Sequence, residues 1–342
     1  MSIARAQIAV DQIRSTITEG NAENIVFVTV LGDKREPDSE PPIVAAVIAI
    51  ELAHNLSAPI EIPKQSTPRS ATIIHAGALV DVDQDQQSEL IATARDLLDG
   101  ELKKRDVGFC QWATDVHERL PESVRHWCKQ LGYEQVGTLN YLACKIAEKS
   151  RQLQSPLELV SLSPELVDWN RSGELEKLAK LVELTYVETM DCPSLSRHRS
   201  ALQTLNDYQA SSAFDPSLWF RLINQNGEAV GCLILGRHQS TQNASPIESG
   251  SGDENVDKNA VKSAESPPVL EIVYMGLIPE ARGNGIGSKI VAHVIDHAQA
   301  IGGQRVILAV DDANTPAQAI YADAGFTALL SETVWVKSDL GN

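Results

Sequence analysis

No stretch of this 342-residue chain approaches the roughly 18 uninterrupted apolar residues of a membrane span. The N-terminal MSIARAQIAVDQIRSTITEG carries polar residues throughout, unlike the apolar core of a secretory leader. The chain is therefore expected to be cytoplasmic, with no membrane partner. Cysteine is sparse and unpatterned. Cys110, Cys128, Cys144, Cys192 and Cys232 are odd in number and never form a CxxC pair, so a disulfide framework and a zinc knuckle are not expected, and no metal site is assigned. Positive charge is short as well: 29 Lys and Arg stand against 46 Asp and Glu, a formal net charge of −17 at pH 7. A nucleic-acid partner, which needs a positive stripe, is not expected. Such acidity suits a cationic substrate, although acidity this general also serves solubility.

What is present is ordinary folding material. Hydrophobic residues make up 43% and charged residues 22% of the chain, a soluble globular composition. The length fits two domains of roughly 150 residues, each able to bury a core. Gly32 to Pro42 and Gln239 to Pro268 are rich in polar residues and proline with few apolar ones, and read as unstructured, the second as a long surface loop. After the strand-like YLACKI the chain turns polar and reaches Pro156, which places a domain boundary near 150. Beyond it, Pro156 to Leu162 reads as a strand, Gly173 to Val187 and Arg197 to Tyr208 as helices. Leu218 to Ile223 and Ala229 to Gly236 read as a hairpin joined at Asn226-Gly227. Val269 to Ile278 is a strand, Ile286 to Ile301 a helix, Arg305 to Val310 a strand, Thr315 to Ala324 a helix ended by Gly325, and Thr333 to Lys337 a closing strand. The order is β-α-α-β-β-β-α-β-α-β.

Between the strand ending at Ile278 and the helix starting near Ile286 lies EARGNGIGSK, with glycine at 283, 285 and 287 directly behind Arg282. Glycines there remove the side chains that keep a bulky anion from the backbone amides. A pyrophosphate fits such a turn, held by successive N–H groups and the positive end of the helix, with Arg282 adding charge-assisted hydrogen bonds. The spacing excludes a GxxxxGK[ST] loop, and a GxGxxG fingerprint from Gly283 fails at Ser288. A turn without a ligand stays open.

MGLIPEARGNGIGSKIV resembles the acyl-CoA-binding motif of the GCN5-related N-acetyltransferase (GNAT) superfamily, [Q/R]-x-x-G-x-[G/A], here Arg282-Gly283-Asn284-Gly285-Ile286-Gly287. A second motif of that family is carried by Asn314, Ala317, Tyr321 and Gly325-Phe326 in NTPAQAIYADAGF. The resemblance covers about residues 156 to 337. It implies an α/β (α+β) fold with a mixed, mostly antiparallel central sheet flanked by helices, and acetyl-CoA as cofactor. The backbone of Met275, Gly276 and Leu277 would pair with pantetheine, residues 282 to 288 (Ser288 included) would hold the pyrophosphate, and Asn314 and Tyr321 would flank the arm near the sulfur. The first half resembles the same fold more faintly. SELIATARDLL (Ser88 to Leu98) matches SKIVAHVIDHA (Ser288 to Ala298) at an offset of 200, and WCKQLGY echoes IYADAGF. On that offset the glycine loop faces Val82 to Gln87, where glycine and arginine are absent and the carboxylates Asp83 and Asp85 stand, so anion binding is opposed; in the WCKQLGY echo, Cys128 replaces Tyr321. The expectation is a tandem pair of GNAT-like domains: residues 1–150 a degenerate copy without the acyl-CoA motif, and residues 151–342 an acetyltransferase domain.

Acetyl transfer to an alkyl amine, whose pKa lies near 10.4, requires a base or a water wire at pH 7. Glu271 is the candidate base: it precedes the loop on the strand, EIVYMGL resembles the glutamate-bearing strand of histone-type members, and alternation puts Glu271, Val273, Met275 and Leu277 on one face. Tyr321 would protonate the leaving thiolate. Asp191 and Cys192, in the connection TMDCPSLSRHR between the first two helices, would border a small-molecule or peptide amine acceptor; an acyl relay through the isolated Cys192 is disfavoured. His293 and His297 lack the glutamate of a zinc helix and read as helix surface, and Trp219 and Phe220 as core. The activity so implied is direct attack of the amine in a ternary complex. The alternative is a non-catalytic acyl-CoA sensor whose first domain binds a partner. Homodimerisation is left open.

Overall fold

The computed structural model describes residues 25–31, 44–52, 69–78, 84–116, 122–146, 157–211, 213–238 and 267–338. The stretch 32–42, nearly all of the 239–268 loop and the proposed boundary near 150 lie outside the described residues. The first half contains β1 (Ile25–Leu31), β2 (Val44–Leu52), β3 (Arg69–Ala78), α1 (Gln84–Lys104), β4 (Val107–Asp115), α2 (Glu122–Gln130) and β5 (Glu134–Lys145). The second contains β6 (Ser163–Leu166), α3 (Glu174–Thr185), α4 (Ala201–Gln209), β7 (Phe214–Ile223), β8 (Ala229–His238), β9 (Val269–Leu277), α5 (Ile286–Ala300), β10 (Arg305–Asp311), α6 (Thr315–Asp323) and β11 (Thr327–Ser338).

The expected order of the second half holds, with one correction at its start. Glu158–Val160 is a 3-10 turn, and the strand begins only at Ser163. Leu157 and Leu162 are both buried, and the Leu162 amide donates to the Leu157 carbonyl at 3.1 Å. The apolar residues thus reach the core by closing a turn, which a count of apolar residues cannot tell from a strand. The closing strand is also longer than expected, because β11 starts at Thr327.

Among the described residues eleven strands form one mixed sheet in the order β1-β2-β3-β4-β11-β5-β10-β9-β8-β7-β6. β3 runs parallel to β4 and β9 parallel to β10; the other neighbours are antiparallel. The two halves repeat one pattern and exchange their last strands. β5 lies between β10 and β11, and β11 between β4 and β5. Trp335 of β11 is accordingly buried in the first half's cluster with Leu98, Leu102 and Trp112, and its indole N–H donates to Thr114 Oγ1 at 3.1 Å.

The second half packs helices on both faces of the sheet. α5 turns Ile290, Val291, Val294 and Ala298 into one fully buried stripe, the 3.6-residue period of a core-facing helix, and joins Leu270, Ile272 and Val306. α3 and α4 cover the other face through Leu178, Val182 and Leu205, which share a cluster with Trp219 of β7. Trp219 is core, as expected, and Phe220 is partly buried.

A bulge decides where each side of β9 points. Ile234 faces Tyr274, yet the next residue Leu235 faces Ile272, leaving Val273 as the extra residue. The expected alternation therefore breaks: Val273 and Tyr274 both pack toward α3 and α4, while Ile272, Met275 and Leu277 join the α5 side. Pairing of β9 with β10 also ends at Ile272 and Leu308, although β9 continues to Leu277. The two strands part there. In the first half, Ala49 faces His75 and Ile50 faces Ile73, and pairing of β3 with β4 stops at Ile73 and Trp112.

Candidate functional site

A cavity of about 330 Å³ occupies the gap between β9 and β10. Its walls are the end of β9, the start of α5, Ala309 and Val310 of β10, α6, and the segment after α3. The β9 edge facing it, from Val273 onward, has no strand partner on that side among the described residues, so its backbone groups, apart from the Leu277 carbonyl that accepts from Arg282, can pair with an extended, amide-bearing ligand. The other edge is pressed close to β8. A Cβ on Gly231 would stand 2.4 Å from the Gly276 carbonyl oxygen, while on the face towards α3 one on Gly276 would stand 2.7 Å from Thr185 Oγ1.

At the cavity floor the chain passes through three successive left-handed residues, Gly283 (φ 83°), Asn284 (φ 52°) and Gly285 (φ 71°). Glycine and asparagine tolerate this region; most other residues lose roughly 1–2 kcal/mol there. Nothing lies within 4 Å of where a Cβ on Gly283 or Gly285 would sit, so the space in front of the loop is open. Gly285 caps α5 without any side-chain hydrogen bond. The first helical turn leaves the amides of Gly287 and Ser288 without intrahelical acceptors. An open cradle, unpaired helix amides and the positive end of α5 together fit a pyrophosphate.

Arg282 is placed differently from the sequence reading, which gave its charge to the pyrophosphate. Its Nε donates to the Leu277 carbonyl at 3.1 Å, Nη1 to that of Glu188 at 3.1 Å, and Nη2 to those of Thr185 at 3.0 Å and Val187 at 2.7 Å. The guanidinium therefore caps the C-terminal end of α3. The segment beyond is twice forced into positive φ at non-glycine residues, Glu188 (53°) and Cys192 (39°).

Its far end is tied to β10 by reciprocal bonds. The Asp311 amide donates to Asp191 Oδ1 at 2.9 Å, and the Cys192 amide donates to Asp311 Oδ2 at 2.9 Å. Asp191 lines the cavity. It is open to water, but the concave wall around it desolvates the carboxyl enough to raise its pKa; the amide bond from Asp311 opposes this and the Asp311 charge adds to it. Burial first, then Asp191 and Asp311, push the Cys192 thiol far above the usual range, which leaves little thiolate. The rest of the connection rests on the first half. Ser194 Oγ donates to the Val136 carbonyl at 3.0 Å, Leu195 packs on Phe109 and Val136, and the Arg199 guanidinium lies 4.8 Å from the Phe109 ring centre.

Tyr321 lines the same cavity and is nearly buried. Burial, then the nearby Asp191 charge, raises its pKa well above that of a free phenol, so it carries its proton at neutral pH. Asn314 caps α6 by accepting from the Ala317 amide at 3.3 Å, and both residues border the cavity. Met275, Gly276 and Leu277 also line it, as do Gly283 and Gly287. Glu271 does not stand with them. Its Oε2 is 2.6 Å from His238 Nε2, and that bond raises the His238 pKa against the opposing effect of burial. His293 and His297 are half-buried rather than surface residues; desolvation lowers both pKa values, and His297 Nε2 is buried without a partner. No cluster that could hold a metal ion is found among the described residues.

Sequence reasoning missed Asp311 and His238. An aspartate ending a strand and a histidine ending another carry no local pattern, since their partners lie 119 and 33 residues away.

Residues 182–326 match the sequence profile described as "Acetyltransferase (GNAT) family". The segment belongs to that family. It contains the parted strands, the glycine loop and Tyr321. Among curated proteins, the chain is similar to the mycothiol acetyltransferase of Corynebacterium glutamicum, at 41% identity over 86 residues covering 25% of this chain and 29% of that protein. The Thermobispora bispora mycothiol acetyltransferase is 38% identical over 126 residues, covering 37% of this chain and 35% of that protein. The chain thus spans only about a third of the length of these relatives. Similar solved structures include a GCN5-related N-acetyltransferase from Sphaerobacter thermophilus, with TM-score 0.47 and 14% identity over 87% of this chain and 78% of that one. A tandem GNAT protein from the clavulanic acid biosynthesis pathway matches with TM-score 0.40 and 12% identity, covering 93% of this chain and 84% of that one.

Proposed function

We propose that the protein is an acetyl-CoA-dependent N-acetyltransferase that passes the acetyl group directly to an amine in a ternary complex. The observation that carries this reading is the parting of β9 from β10 above a loop with open space over Gly283 and Gly285, with Tyr321 in the same cavity. Bound there, acetyl-CoA supplies an acyl thioester. The amides of Gly287 and Ser288 and the dipole of α5 hold its pyrophosphate, and the free edge of β9 at Met275 to Leu277 aligns its amide-bearing arm.

The acceptor enters on the Asp191 side. An alkyl amine arrives as ammonium and must lose a proton. Asp191 faces the cavity with a raised pKa, which improves a carboxylate as a base, so we assign the proton to it and give Glu271 the task of holding His238. Tyr321 keeps its O–H at neutral pH and donates to the departing thiolate. The relatives' name adds one concrete acceptor for trial, a mycothiol-related amine. Residues 1–150 are read as a copy of the same fold without a phosphate seat, supported by the repeated strand order and by the absence of glycine at 82–87.

A thiol-release assay with acetyl-CoA and a panel of amines, including a mycothiol-type amine, tests the activity. We expect turnover with at least one amine, lost in Asp191→Asn by roughly 10²-fold or more and much less in Glu271→Gln. Loss in Glu271→Gln alone would move the base to Glu271. No turnover with any amine despite tight acetyl-CoA binding would favour a sensor.

A further inference from the structure

The guanidinium of Arg282 has five N–H donors, and four hydrogen bonds to carbonyl oxygens already engage it. Three of those oxygens belong to the end of α3 and the residues after it, Thr185, Val187 and Glu188; the fourth, of Leu277, belongs to the end of β9. The last carbonyls of a helix lack intrahelical partners, and a cation is favourable at that end of the dipole. A fork of planar donors can satisfy several carbonyls at once, whereas a lysine ammonium is a point charge with three rotatable donors.

The segment fastened this way is the acceptor wall. Tyr186, Glu188, Thr189, Met190 and Asp191 line the cavity. Glu188, whose carbonyl Arg282 holds, has a φ of 53°, a conformation that a glutamate keeps only when its surroundings impose it. At the other end the segment is tied by the Asp191 and Asp311 bonds.

We propose that Arg282 is a positioning residue: it clasps the acceptor wall to the end of β9, and the backbone amides of the glycine loop hold the phosphates without its side chain. The role given to the wall rests on the acetyltransferase reading; the clasp does not. It follows that the wall is preformed before any cofactor binds, and that an arginine at the head of this loop shapes the amine site more than the coenzyme site.

Hydrogen exchange of peptides spanning residues 183–199, read beside calorimetric titration with coenzyme A, tests this on the full chain as wild type, Arg282→Lys and Arg282→Gln. Peptides from α1 report whether a variant has unfolded as a whole. In the wild type we expect the 186–192 amides to be protected without coenzyme A. In both variants they should exchange about tenfold faster or more, while the coenzyme A Kd stays within about threefold of wild type. A Kd raised tenfold or more in the glutamine variant and restored by lysine, with the wall still protected, would overturn the clasp and make Arg282 a phosphate ligand. So would wild-type wall amides that become protected only after coenzyme A is added, a result that needs no variant to fold. Failure of the wild type to bind coenzyme A would defeat the acetyltransferase reading and leave the exchange comparison to decide the clasp.

Discussion

The two halves of this sheet have the same strand order, a bulge at corresponding places in β3 and β9, and a parallel pair whose pairing ends just before it, at Ile73 and Trp112 or at Ile272 and Leu308. They differ in the turn that follows. In the second half three left-handed residues, two of them glycine, lead into α5. In the first half the chain enters α1 at Gln84-Asp85-Gln86-Gln87, where glycine is absent and a carboxylate is present. The gap between strands is thus a property of backbone topology, and a seat for an anion is an additional property of a few residues at its floor.

The exchange of last strands gives the widest test of that comparison. If each half needs the other's strand, Trp335→Ala should cost about 3–5 kcal/mol, the usual loss for a buried tryptophan. It should lower the unfolding midpoint of the whole molecule in one denaturant transition, although Trp335 lies far along the chain from the cluster it fills. Two separate transitions, with only one moved, would show that the halves are energetically independent.

A narrower test strikes the second half alone. Gly231→Ala places a Cβ 2.4 Å from the Gly276 carbonyl oxygen and 2.7 Å from Leu277 Cδ2, so β8 and β9 must move apart. The expected cost is about 1–3 kcal/mol by chemical denaturation, with weaker acetyl-CoA binding because a shift of β9 away from β8 also displaces its opposite edge, the one facing the cavity. Tyr321→Phe should leave the fold and the acetyl-CoA Kd nearly unchanged and lower kcat by roughly 10²-fold; an unchanged kcat would mean that the thiolate departs without it. The smallest effect concerns His238. Its folded pKa is raised by Glu271, so the stability this bond gives is fully present below the unfolded value of about 6.5 and is lost as pH rises through the folded value. Melting temperatures of wild type and His238→Asn should differ more at pH 6 than at pH 8.5. A gap that widens with pH would contradict the pairing.

Much of the second half was legible because its signals are local. The Asn226-Gly227 turn, the stripe from Ile290 to Ala298 and the glycine triplet each lie within a few residues, and the hairpin and α5 formed within a few positions of where their patterns put them. The 3-10 turn at Glu158–Val160 was not, since two buried leucines spaced by a turn look like part of a strand. The bulge at Val273 exists only in the register between β8 and β9, and it moves Met275 and Leu277 to the opposite face from Val273. The partners of Arg282, Glu271 and Asp191 lie between 5 and 120 residues away, and no spacing rule reaches them. The chemistry of the site could be read from residue types, whereas the assignment of each side chain to its task required the packing.

The most direct test of the central claim is the stoichiometry of acetyl-CoA binding, measured by calorimetry on the full chain as wild type and as Gly285→Asp. Gly285 has a φ of 71° with nothing within 4 Å of its missing Cβ, and aspartate tolerates that conformation, so the variant should fold with a carboxylate in front of the phosphate seat. The account predicts one acetyl-CoA per chain in the wild type and none in the variant. Two per chain, or one that survives Gly285→Asp, would contradict it.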